Sequence, residues 1–189
     1  MFQLYLKLGL EHIADLQGYD HILFVMMLCA VYTFKNWKQV LILITAFTIG
    51  HSLTLALASM NIIRVSNLWV EFLIPVTIFI TALGNMISGK PGNTSARIKY
   101  MLALFFGLIH GLGFSNYLRS LLGTHDSLAI PLLAFNIGVE LGQILIVLCM
   151  LTLTSLILFF KLKQRDWILV LAGSGAGIAL TLMLERWPI

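Results

Sequence analysis

Six long apolar segments dominate this sequence, at residues 20–34, 39–60, 68–88, 98–112, 128–160 and 167–184. A bilayer core takes about 20 apolar residues per helix, and lipid offers no partner for an unpaired backbone amide, so such runs fold as spanning helices. The chain is 59% hydrophobic and 11% charged over 189 residues. A soluble domain carries about 25% charged residues and lacks the interior volume to hide this much apolar surface. A soluble enzyme, a disordered chain and a disulfide-stapled secreted module are therefore excluded. The expected fold is an all-α membrane protein, a compact bundle of about six transmembrane helices in a single polytopic domain over residues 1–189.

The first and fourth segments are short. They are expected to extend into 11–19 and 114–122, through breaks at Gly18 and at Gly111 and Gly113. The fifth is long enough to tilt or protrude. Residues 1–10 read as an interfacial or re-entrant helix, a seventh element. Lys7, Glu11 and His12 interrupt the apolar run there and no small-residue cleavage site follows, so a cleaved signal peptide is not expected.

The loops set the expected orientation. Lys35, Lys38, Lys90, Arg97, Lys99, Lys161, Lys163 and Arg165 fall in three loops on one side, eight of the twelve basic residues. Lys7, Arg64, Arg119 and Arg186 fall on the other. The bias places the three basic loops in the cytoplasm and both termini outside. Trp37, Trp69, Trp167 and Trp187 sit at span ends, as interfacial anchors do. The net charge of +4 reports this topology and does not call for nucleic acid. Cys29 and Cys149 lie in apolar stretches and read as small hydrophobes.

An ionisable group inside a span costs about 2.5–3.5 kcal/mol on insertion scales, so each needs a reason. His12, Asp15, Asp20 and His21 fall at the outer mouth of the first span, His51 and Ser52 in the second, and Glu71 at the start of the third. His110 lies near the outer end of the fourth, and Asn136, Glu140 and Gln143 lie in the fifth. His51 stands roughly 18 Å above the inner start of its span at 1.5 Å per residue, and His110 rises as far. The polar groups of five spans thus converge on the outer half of the bilayer, and His21, His51 and His110 are expected to share one ion. Imidazole nitrogens with carboxylate oxygens suit nickel, zinc, cobalt or copper(II). The expected ligands are His12, Asp20, His21, His51, His110 and Glu140. Asp15, Ser52, Glu71, Asn136 and Gln143 are expected around them, with Asp15, Glu71 and Asn136 able to orient ligand histidines. Each has a plainer reading too: Asp20 as a helix cap, Glu71 and His12 as interfacial groups, the other histidines as packed side chains bonded to carbonyls. His125 and Asp126 read as solvated loop residues.

The sequence echoes itself weakly. Gly9-Leu10-Glu11-His12 resembles Gly107-Leu108-Ile109-His110, and Ile49-Gly50-His51-Ser52-Leu53 resembles Ile137-Gly138-Val139-Glu140-Leu141. Two halves of opposite orientation would give such a pattern.

At these residues the chain resembles the HupE/UreJ family. The stretches that carry the resemblance are Gly9 to His12 with Gly18-Tyr19-Asp20-His21, Thr48-Ile49-Gly50-His51-Ser52-Leu53-Thr54-Leu55, Val70-Glu71, Gly107-Leu108-Ile109-His110-Gly111-Leu112-Gly113-Phe114, and Phe135-Asn136-Ile137-Gly138-Val139-Glu140-Leu141-Gly142-Gln143. The resemblance implies a multi-pass protein of the bacterial inner membrane, associated with hydrogenase and urease gene sets and so with nickel supply. The family's motif residues carry over to Asp20, His21, His51, His110 and Glu140.

Two functions follow as expectations. One is a divalent-metal permease, nickel foremost, that captures its cargo at His12, Asp20 and His21 and passes it to His51, His110 and Glu140. The other is a metal-dependent, zinc-type intramembrane hydrolase acting on a lipid or periplasmic substrate, with Glu140 or Asp20 moving protons. The expected partners are membrane lipid, a metal ion and a second copy of the chain, with no nucleic acid.

Overall fold

The computed structural model describes residues 1–89, 96–115, 118 and 129–188. Residues His125, Asp126, Lys90 and Arg119 lie outside these. Among the described residues there are seven α-helices and no strand. They are α1 (Phe2–Ile13), α2 (Asp20–Cys29), α3 (Trp37–Ser59), α4 (Asn67–Ser88), α5 (Ala96–Gly113), α6 (Ala129–Phe159) and α7 (Gln164–Glu185). Four carry enough length and apolar character to cross a membrane: α3 with the 3-10 turn before it, α4, α6 and α7.

The first expected span is divided. α1 ends at Ile13, and the Asp15 carboxylate accepts the Gln17 amide at 2.8 Å in the turn that follows. That local bond competes with helix continuation, and Gly18 lies beside it. α2 then runs for only ten residues, and the chain turns through a short 3-10 helix, Phe34–Asn36. Asp20 begins α2 but makes no capping bond; Tyr19 is the cap residue. At its other end α4 stops at Gly89, whose φ of +60° suits a residue without Cβ.

Three helix pairs organise the bundle: α3 with α5, α1 with α6, and α4 with α7, while α2 touches α3, α4, α6 and α7. The central core joins Phe24, Val25 and Met27 of α2 to Ile44 and Phe47 of α3, Ile78 of α4 and Ala172 of α7. Ile42, Ile49, Leu53, Ile80, Leu145 and Leu156 point outward. In water they would form an unstable apolar surface; facing lipid they are at home.

Glycines decide how closely two of these pairs approach. A Cβ at Gly9 would run into the carbonyl of Phe135 and the amide of Val139, and one at Gly107 into the carbonyl of Phe47 and the amide of His51. A Cβ at Gly138 would meet the Leu6 carbonyl and the Leu10 amide, and one at Gly50 the Leu104 carbonyl and the Leu108 amide. The α1–α6 and α5–α3 contacts therefore share one register, and the sequence echo aligns the same residues. Phe135 corresponds to Phe47, Val139 to His51, Leu6 to Leu104 and Leu10 to Leu108. Within each pair the helices run parallel, since Ile13 meets Gly142 beyond the crossing and Gly111 meets His51 and Thr54. The start of α3 lies by the end of α6, where Phe34 and Lys35 share a cavity with Ser155 and Leu158. The two pairs thus have opposite directions, the arrangement of an inverted repeat. Small residues at such crossings replace the hydrophobic drive that lipid cannot supply.

Candidate metal centre

Each crossing also aims a histidine inward. On α1, His12 stands three residues after Gly9, and on α5 His110 stands three after Gly107, so glycine and histidine share a helix face. His12 lies 5.6 Å from Phe135 between ring centroids, and its counterpart His110 lies 5.1 Å from Phe47. His21, in the first turn of α2, sits between these two histidines, 4.5 Å from His12 and 5.1 Å from His110. His51 of α3 completes the group at 5.7 Å from His21 and 5.8 Å from His12. The short α2 therefore places its histidine where the two repeated pairs converge.

The candidate ligand atoms of His12, His21 and His51 all lie within 4.8 Å of one another. Tetrahedral zinc with bonds of about 2.0–2.1 Å needs nitrogens about 3.3 Å apart, so the rings need only a modest contraction to share an ion. Depth along the spans groups His110 with His21 and His51; the structure draws in His12 and sets His110 beside them, with Nε2 2.9 Å from the Thr77 hydroxyl. His51 and His110 have no exposed surface. Nε2 of His12, Nε2 of His21, both nitrogens of His51 and Nδ1 of His110 are buried without a hydrogen-bond partner. Each such group costs about 1–3 kcal/mol when left unsatisfied. A borderline divalent cation would satisfy several at once, and these nitrogens fit one. Phe114 lies 4.0 Å from His12 and Phe24 4.9 Å from His110, so aromatic rings wall the group. A cavity of about 630 Å³ borders His12, lined also by Leu8, Glu11, Asp15, Leu16 and Phe114.

The expected carboxylates stand apart from the histidines. Asp20 is buried, but its Oδ2 accepts a 2.9 Å bond from Arg186, while Oδ1 has no partner. Glu71 holds the same guanidinium at 3.2 Å. Burial opposes the charge on Arg186, yet the bond and charge of Asp20, with Glu71 adding to them, hold its pKa above the ordinary value. Glu140 accepts a 2.6 Å bond from Thr45, and Gln143, one turn on, accepts one of 2.8 Å from Thr48. These two pairs make a polar seam between α3 and α6 beginning one turn below His51. Asn136 has a buried, unpartnered Oδ1, and the Ser52 hydroxyl turns back to the Thr48 carbonyl. Asp15 stays in the α1–α2 turn. Cys29 and Cys149 are free thiols, and Cys149 faces outward instead of into the core.

Sequence reasoning missed Thr77, Arg186, Thr45 and Thr48. Arg186 gave a signal, as one of four basic residues on the side opposite the basic loops; a threonine in an apolar helix gives none, because its partner is set by packing.

The fold and site define a helical membrane protein in which histidines from four helices meet, three of them able to hold a metal ion. The chain matches the family described as HupE / UreJ protein over residues 1–187, and it belongs to that family. No curated protein and no solved structure matches it.

Proposed function

We propose that this protein is a divalent-metal permease of the bacterial inner membrane, with nickel as its cargo and both termini outside. One observation carries the reading: five imidazole nitrogens of His12, His21, His51 and His110 are buried together without partners. Membership of a family linked to metal uptake supports it. The ion enters by the cavity at His12, where Glu11 and Asp15 favour cations. His12, His21 and His51 take it first, with His110 and Asp20 as further ligands. The onward route runs between α3 and α6 along the seam formed by Thr48 and Thr45 with Glu140 and Gln143, toward the basic loops. The inverted repeat supplies the means of release, by rearrangement of the α1–α6 pair against the α5–α3 pair.

A second reading has its own observation. Three histidine nitrogens with a neighbouring cavity resemble the three-ligand, open-position sites of catalytic zinc. The chain would then be an intramembrane hydrolase. Nickel accumulation by cells, measured with the metal content of the purified protein, tests the choice. A permease raises cellular nickel and loses that effect with His51→Ala. Full metal content without any effect on cellular nickel would reject transport.

A further inference from the structure

We propose that Arg186 is a positioning residue for the metal site, which holds Asp20 away from the histidines until a divalent cation takes that carboxylate from it. The inference rests on reading the histidine group as a metal site.

Asp20 directly precedes His21, so its backbone already lies at the edge of the group. Its carboxylate nevertheless is not among the atoms that gather within 4.8 Å there, because Oδ2 is bound to Arg186 at 2.9 Å. Oδ1 is buried and without a partner. The carboxylate therefore has one oxygen on a resident monovalent cation and the other buried without a partner, one residue from His21. In a low-dielectric setting the attraction between charges is strong, and a doubly charged ion outbids a singly charged one for the same oxygen. Arg186 is not stranded when this happens. Glu71, half-exposed and 3.2 Å away, keeps it paired at the surface. That second carboxylate explains how the exchange avoids leaving a partly buried guanidinium unpaired, the outcome that makes broken ion pairs costly.

The C-terminus of α7 feels the exchange. Trp187 follows Arg186, and its ring meets Phe72 of α4 edge-on at 5.2 Å. Release of Asp20 frees one of the two anchors on Arg186 and changes the setting of that indole.

The test uses the purified full chain, zinc ion as a spectroscopically silent probe, and a competing chelator. Arg186→Gln is expected to bind zinc about fivefold tighter, the order expected for loss of one partly exposed charged hydrogen bond. Arg186→Lys should restore wild-type affinity, and Glu71→Gln should weaken binding, because the guanidinium then serves Asp20 alone. In an Asp20→Asn background, Arg186→Gln should have no effect. An equal gain in that background would show a long-range charge effect and overturn the proposal, as would unchanged or weaker binding by Arg186→Gln alone. A variant that keeps only Trp187, with Trp37, Trp69 and Trp167 changed to Phe, should shift its emission when zinc is added; an unmoved spectrum at saturation counts against the exchange. Wild-type protein that binds no zinc overturns the metal reading and this inference together. Zinc bound through His51 with Arg186 immaterial overturns only this one.

Discussion

The Thr77 hydroxyl donates to the Ile74 carbonyl at 2.7 Å and lies 2.9 Å from Nε2 of His110. Its one proton is committed to the carbonyl, so it accepts from the ring. Nε2 of His110 therefore carries the N–H, and the lone pair sits on Nδ1, the buried nitrogen without a partner. A residue of α4 thus fixes the tautomer of a histidine on α5 and leaves its buried Nδ1 as the nitrogen with a free lone pair.

Thr77→Val removes that acceptor while keeping shape. Outer contacts of this kind are worth about 10–100-fold in metal affinity, and the variant should lose affinity in that range. Thr77→Ser should retain it. A chelator-competition titration with zinc measures both, and equal affinity for valine and serine variants would mean that His110 takes no part.

His12→Ala, His21→Ala and His51→Ala should each strip most of the metal from the purified protein, because each removes one of the three gathered nitrogens that lie within 4.8 Å of one another and take the ion first. Elemental analysis after dialysis gives the result. A His12→Ala protein with full metal content would return the site to His21, His51 and His110.

Glu140→Gln keeps an oxygen to accept from Thr45 but removes the charge. Since Glu140 lies in the seam and not among the gathered histidine atoms, metal content should stay close to wild type while cellular nickel accumulation falls. Unchanged accumulation would remove the seam from the route.

Gly9→Ala, Gly138→Ala, Gly50→Ala and Gly107→Ala should each destabilise the fold by about 1–3 kcal/mol or more, since the added carbon meets backbone that cannot turn away. Gly84→Ala, Gly173→Ala and Gly177→Ala have nothing within 4 Å and should be neutral or mildly stabilising. Thermal unfolding in detergent reads both sets; equal losses at Gly9 and Gly177 would refute the crossing argument.

Apolar runs of spanning length, and the cost of unpaired amides in lipid, already determine a helical membrane bundle from the sequence alone. The cost of polar groups in those runs likewise singles out His12, His21, His51 and His110, and the short glycine-histidine echo marks the two crossings. Which polar groups meet was beyond that reading. Depth along a span says how far a residue lies from the surface, not which way its helix is turned or which helix faces it. Hence His12 joins His21 and His51, Glu140 goes to Thr45, and Asp20 goes to Arg186, 166 positions along the chain. Only packing decides such pairs: glycine crossings set how near the backbones come, and that distance selects the side chains that can touch.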